Sequence, residues 1–237
     1  MNKWSRQCLA TSVLIALMMV ADVGVGAESP PTSGDELNLS CGPPPPGHAR
    51  KGKRDYRARD LNKQNQIDWA DHDYGHIRPA EEALHAGKLD FEVMRNLHFV
   101  LHKIPNHEKA LRLLIEWDLA GGQDTNYAPP RCYFAWARSF APDDMVVWNY
   151  GAYYFWRKGD VRRAEQWWGR ALTLDPENAE LHYNLGLLAL QESDYESARA
   201  HARAAYQAGY PLPGLRDALE QAGQWRDAPA RPESIER

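Results

Sequence analysis

The chain has 237 residues, 43% of them apolar, with 28 lysines and arginines set against 32 aspartates and glutamates for a formal charge of −4. That balance gives no footing for bulk nucleic-acid binding. The length supports one globular domain or one extended array with ample apolar surface to bury.

Residues 1–27 have the layout of a secretory signal peptide. Lys3 and Arg6 form a short positive head, Leu9 through Ala21 is an apolar run broken by Thr11 and Ser12, and Val25-Gly26-Ala27 offers small residues at a cleavage point. The competing reading is an uncleaved anchor, but the run has 13 positions where about 20 are needed to cross the hydrocarbon core. Cys8 precedes the apolar run, which sets aside a lipoprotein start, and no later stretch is suited to span a membrane. With Lys3, Arg6 and Asp22 removed, 26 basic and 31 acidic residues remain. Cysteine use is sparse. Once Cys8 leaves, Cys41 and Cys132 are an even pair in an oxidising compartment. A bridge between them would close a span of about 90 residues and stabilise by about 2 to 4 kcal/mol; two unpaired thiols are the alternative.

Residues 28–70 read as a Pro-rich and basic extended segment. The run Pro43 to Pro46 favours a stiff polyproline II spacer. Arg50, Lys51, Lys53, Arg54, Arg57 and Arg59 then place six positive charges against Asp55 and Asp60, the one strongly basic patch. Such an arm suits anionic headgroups, a polyanion or an acidic partner, or is simply solvated. Tyr56 alone is too little for a nucleic-acid stacking platform.

Helical patterning starts near Pro79. Gly87 turns the chain into a second helix capped by Asp90 and running to about Lys103. Glu108 to Ala120 follows, with Leu111, Leu114, Ile115 and Leu119 on one face and Gly121-Gly122 as the break. After Pro129-Pro130, residues 131–140 form its partner. The next pair is Asp144 to Arg157 and Arg162 to Leu174, joined by Gly159-Asp160. Another pair is Ala179 to Gln191 and Glu196 to Gln207, joined by Ser193-Asp194, and a last helix near Leu215 to Ala222 would cover the apolar end face. Pro105, Pro142, Pro176 and Pro211 lie 37, 34 and 35 residues apart, each closing one segment before the next opens. A period near 34 predicts stacked helix pairs, an all-α solenoid with an extended N-terminal segment.

In residues 145–178, Trp148, Gly151-Ala152, Phe155, Ala164, Trp168, Ala171 and Pro176 stand in order at the large, small, aromatic, alanine and proline places of a known pattern. This stretch resembles a tetratricopeptide repeat. Residues 179–212 resemble a second through Leu185-Gly186, Ala198 and Ala205, with His182 in place of the large apolar residue and Ala189 and Ala202 in place of aromatics. Residues 74–107, with Leu97, Val100 and Pro105, and 108–144, with Leu114, Phe134, Ala137 and Pro142, resemble divergent copies; 213–237 are left as capping helix and tail. The run from Cys41-Gly42 through Asp55-Tyr56-Arg57 to Ile104-Pro105-Asn106-His107 also resembles exported repeat proteins of Gram-negative bacteria. The resemblance implies a right-handed α-solenoid and a periplasmic location.

By analogy with the family, the leading helices line a concave groove at Asn149, Tyr153, Trp156 and Arg157, then Glu180, Tyr183, Asn184, Leu187 and Gln191. Aromatics and amides there suit a peptide or extended segment of another protein in the cell envelope. Arg157 is the one charge offered to a carboxylate clamp, which disfavours that mode. Among the alternatives, His98 and His102, four apart on a helix, suit a shared metal, with His107 nearby and His72 and His76 as an earlier pair. The basic arm 50–59 suits an envelope polyanion. No phosphate loop, serine elbow or cysteine-histidine arrangement appears, so neither catalysis nor a cofactor is expected.

Overall fold

The computed structural model describes residues 41–43, 55–57 and 75–225. The expected signal peptide, most of the extended segment and the tail beyond Trp225 lie outside them. Among the described residues there are nine helices and no strand: α1 (Ile77–His85), α2 (Phe91–Lys103), α3 (Glu108–Leu119), α4 (Pro130–Phe140), α5 (Met145–Arg157), α6 (Val161–Leu174), α7 (Ala179–Gln191), α8 (Tyr195–Gln207) and α9 (Gly214–Gln221). The chain is an all-α helical repeat. No helix among these is long and apolar enough to cross a membrane.

The period has a local cause. A residue before proline is pushed out of the helical region, so the helix must stop there. Ile104, Ala141 and Asp175 each precede a proline and share one conformation, with φ from −130° to −142° and ψ from 72° to 82°. Each sends its N–H to the carbonyl four residues back, on Val100, Ala137 and Ala171. Two residues after each proline comes a cap: the side chains of His107, Asp144 and Asn178 accept from backbone N–H groups of the helix that follows. The turn inside the best pair also recurs 34 residues on. Gly159 takes φ 84°, and Asp160 donates to the carbonyl of Phe155. Ser193 takes φ 63° in the same role, and Asp194 donates to that of Ala189. Both aspartates then cap the next helix.

The described residues form two compact units that part between Pro176 and Glu177. The larger holds α1–α6. In it Ala164 and Ala171 are fully buried, as are Trp167 and Trp168, and Trp167 receives Trp148 and Phe155 edge-on with ring centroids 5.0 and 5.2 Å away. Gly151 lets α5 lie flat on this ring. A Cβ there would overlap the Trp167 ring carbons Cζ3 and Cε3. In the smaller unit, α7–α9, Tyr183 stacks on Tyr210 at 4.2 Å among Ala198, Ala202, Ala205, Leu215 and Leu219.

The N-terminal segment is tied to the larger unit at two places. Cys41 and Cys132 are disulfide-bonded, their Cα atoms 5.3 Å apart, and the Trp136 indole N–H donates to the Gly42 carbonyl at 3.1 Å. This decides between the bridge and two free thiols. Further along, Tyr56 packs on Ile104 with its ring 4.5 Å from that of His107. The Asn106 side chain accepts from the Tyr56 N–H at 3.0 Å and donates to Asp55 at 2.8 Å and to the buried Asp144 at 2.7 Å. Arg57 reaches Asp55, Asp143 and Asp144 at 2.6, 3.1 and 3.5 Å. Its hydrogen bond holds the Asp55 carboxyl down at about 2.

Replacing Gly151 with alanine should cost about 1–3 kcal/mol of overpacking against Trp167. At Gly169, inside α6, an added Cβ meets nothing within 4 Å. The same change there should stabilise by about 0.5–1 kcal/mol through helix propensity. Urea unfolding of the two variants checks the opposite signs; equal shifts would refute the close seat of α5.

Candidate functional site

The leading helices of the last two pairs carry all nine expected groove positions, and each helix is described within its own unit. Register decides exposure. Asn149 on α5 and Tyr183 on α7 stand 34 residues apart, and both face inward. Asn149 is 6% exposed, with its side-chain oxygen taking the Trp168 indole N–H at 2.9 Å; Tyr183 is wholly buried. Asn184 is buried as well. Asn149 and Tyr183 pack against the second helix of their own pair, where a polar group needs an internal partner and a ring fills volume.

Further along the same face of each helix, exposure rises. Tyr153 and Leu187 are half-buried, while Arg157 and Gln191 are exposed, as is Glu180 at the start of α7. On α5 the outward residues cooperate. The Arg157 guanidinium donates to the Tyr153 hydroxyl at 2.7 Å and lies 5.7 Å from its ring centroid, and the Trp156 ring meets Tyr153 edge-on at 6.0 Å. Trp156 leans at 5.8 Å on the buried Trp168, so the cluster is anchored to the core. An anchored pair of rings and a guanidinium present area with little freedom left to lose on binding.

The histidines divide by role. His107 caps α3, and His76 bonds Asn96 with Nδ1 at 2.9 Å. His98 and His102 do come together edge-on at 5.3 Å, but His98 Nδ1 is 2.7 Å from the Tyr133 hydroxyl. Among the described residues no three His, Cys, Asp or Glu side chains gather as a metal site. His72 lies outside them. Of the basic arm 50–59 only 55–57 are described, and there Arg57 is engaged with three aspartates. The buried network of Asp55, Asn106 and Asp144 escaped sequence reasoning, as did the contact of His182 with His201, Nδ1 to Nδ1 at 3.0 Å.

Residues 151–211 match the tetratricopeptide repeat family. The match runs from the Gly151 seat of α5 through α8, covering the two pairs in which the register argument is sharpest. Repeats of this family bind other proteins. No curated protein matches the chain.

Burial lowers the proton affinity of His98 and His201 below the ordinary histidine value of 6.5, with the charges of His102 and His182 adding to it. The unfolded chain therefore takes up protons first as pH falls. Stability should be full above 6.5 and decline as pH drops through and below it. Denaturant midpoints between pH 8 and 5 check this; a flat profile that is unaltered by His98→Gln and His201→Gln would contradict it.

Proposed function

We propose that this chain is a noncatalytic adaptor, exported to the periplasm, that holds an extended segment of another envelope protein on its leading helices. The observation that carries the reading is the outward cluster of Tyr153, Trp156 and Arg157 on α5, inside the segment that matches a protein-binding repeat. Tyr, Trp and Arg are the side chains that most often dominate protein interfaces. On α7, within its own unit, the exposed amide of Gln191 and carboxylate of Glu180 suit a peptide backbone as well. Export rests on Lys3, Arg6 and the apolar run from Leu9 to Ala21 in the sequence.

The role of Tyr183 differs from that of Tyr153 in this reading. Tyr183 holds the core of the smaller unit, so its removal would report on stability and not on binding. The informative change is therefore Tyr153→Ala together with Arg157→Ala. A photo-crosslinker placed at the half-buried Tyr150 of α5 in cells should capture a periplasmic partner from the otherwise unsubstituted chain, and that capture should fall by tenfold or so if the cluster contributes about 1.4 kcal/mol. Helical content by circular dichroism should stay the same. Undiminished capture by the double variant would overturn the assignment of the α5 face.

A further inference from the structure

The smaller unit gathers its positive charge in one place. From residue 177 to 225 the chain carries seven acidic side chains against three arginines, Arg199, Arg203 and Arg216, and no lysine. Arg199 and Arg203 are four apart on α8 and Tyr206 is three further on, so these side chains share one face of that helix. The Tyr206 hydroxyl accepts the backbone N–H of Arg216 on α9 at 3.0 Å. The Arg216 guanidinium lies 4.5 Å over the Tyr206 ring and 5.7 Å from that of Trp225. Trp225 meets Tyr206 edge-on at 6.3 Å, and its neighbour Gln224 takes Arg199 Nη1 on its side-chain oxygen at 3.2 Å. The chain after α9 thus closes around the two rings and joins the arginine of α9 to those of α8.

Like charges one turn apart on a helix repel and cost stability. A local choice that works against stability is where function is expected. Counter-charge is also short. Asp217 and Glu220 stand on α9 itself, yet among the described residues no carboxylate is ion-paired with Arg199 or Arg216. Arg216 Nε is buried without a hydrogen-bond acceptor, so ring faces alone meet the inner side of that charge. All three arginines and both rings are half-buried, and side chains held this way lose less freedom when their outer nitrogens engage a ligand. A guanidinium fork matches the paired oxygens of a carboxylate. Arg199 and Arg203 stand about 6 Å apart, close to the roughly 7 Å between alternate side chains of an extended chain. Several carboxylates on one extended chain therefore fit the patch. Tyr206 and Trp225 lie against Arg216 and leave little ring area to enter a lipid interface.

We propose that the α8–α9 face of the smaller unit binds an acidic extended segment of a partner protein, its carboxylates paired with Arg199, Arg203 and Arg216. Charge complementarity sets the encounter rate and the choice of partner, and the arginine forks fix the register. The acidic remainder of the unit repels the same segment elsewhere, which confines it to this face. The surface shares no residue with the α5 cluster and does not depend on the adaptor reading.

Fluorescein-labelled hexaglutamate, titrated with the full chain and followed by fluorescence anisotropy, is the direct test. Binding should saturate at low salt and weaken at least tenfold towards 1 M, where the screening length falls to about 3 Å. Arg199→Gln combined with Arg216→Gln should weaken it by about tenfold or more through the loss of two charge-assisted contacts. Arg162→Gln combined with Arg170→Gln removes the same charge from exposed positions of α6 and should leave binding within about twofold. No saturable binding, survival of binding in the first variant, or an equal loss in the second would overturn the site. Vesicles of phosphatidylglycerol that capture the chain through the same arginines while hexaglutamate does not bind would also overturn it, in favour of a membrane surface. Should the first variant fold poorly by circular dichroism, the Nε–H resonances of Arg199 and Arg216 in the unsubstituted chain decide. Hexaglutamate must shift them together, and resonances left unmoved by the bound peptide refute the proposal.

Discussion

The backbone of α5 rests directly on the face of Trp167 because Gly151 has no side chain, and this close seat sets the spacing of the whole pair. An ordinary Cβ would need the ring to move, and the ring is held by Trp148 and Phe155 on its other sides. With the helices this near, Ala164 and Ala171 close the seam and Trp168 reaches the Asn149 side chain. Its neighbour Trp156 is thereby propped outward with Tyr153 and Arg157. The surface offered for binding is thus a consequence of how the core is filled. In the smaller unit Gly186 plays a related part, since a Cβ there would overlap Cδ2 of Leu215 on α9.

Complementary exchange keeps successive pairs alike in outline but different in substance. Asn149 faces Trp168 in one pair; at the same register the next has Tyr183 and Ala202, so a small residue and a large one trade sides and the volume stays filled. Trp148 and Trp167 give way to His182 and His201, where volume is surrendered for polar atoms. The larger unit places its polar groups elsewhere. Asn106 and Asp144, in the turns that follow the prolines, are buried and bonded to each other; Asp55 and Tyr56 of the N-terminal segment satisfy Asn106, and Arg57 pairs with Asp144. The disulfide at Cys132 fastens the same segment to α4.

What was legible in the sequence is what local chemistry fixes. Prolines end helices, Asp90, Asp144 and Asn178 begin them, and a glycine or Ser193 turns between them, so element bounds came out within a residue or so. Facing was harder. A helix position predicts a side, but Asn149 and Tyr183 share a face with the less buried Tyr153 and Leu187, and it is what the second helix packs against them that decides their burial. Comparing residues 34 apart would have paired His182 with Trp148 and His201 with Trp167 and so flagged the histidines as a contact. The network of Asp55, Asn106 and Asp144 left no such trace, because it joins turns 38 and 51 residues apart with no shared period.

The central claim is that the α5–α6 seam depends on an intimate glycine-on-ring contact. A double-mutant cycle on unfolding free energy with Gly151→Ala and Trp167→Leu isolates that contact. Leucine leaves room for the new methyl, so the alanine should cost far less in the Trp167→Leu background, with a coupling of about 1 kcal/mol or more. Strictly additive costs would show that the two residues do not touch in the way described, and the account of the seam would fail.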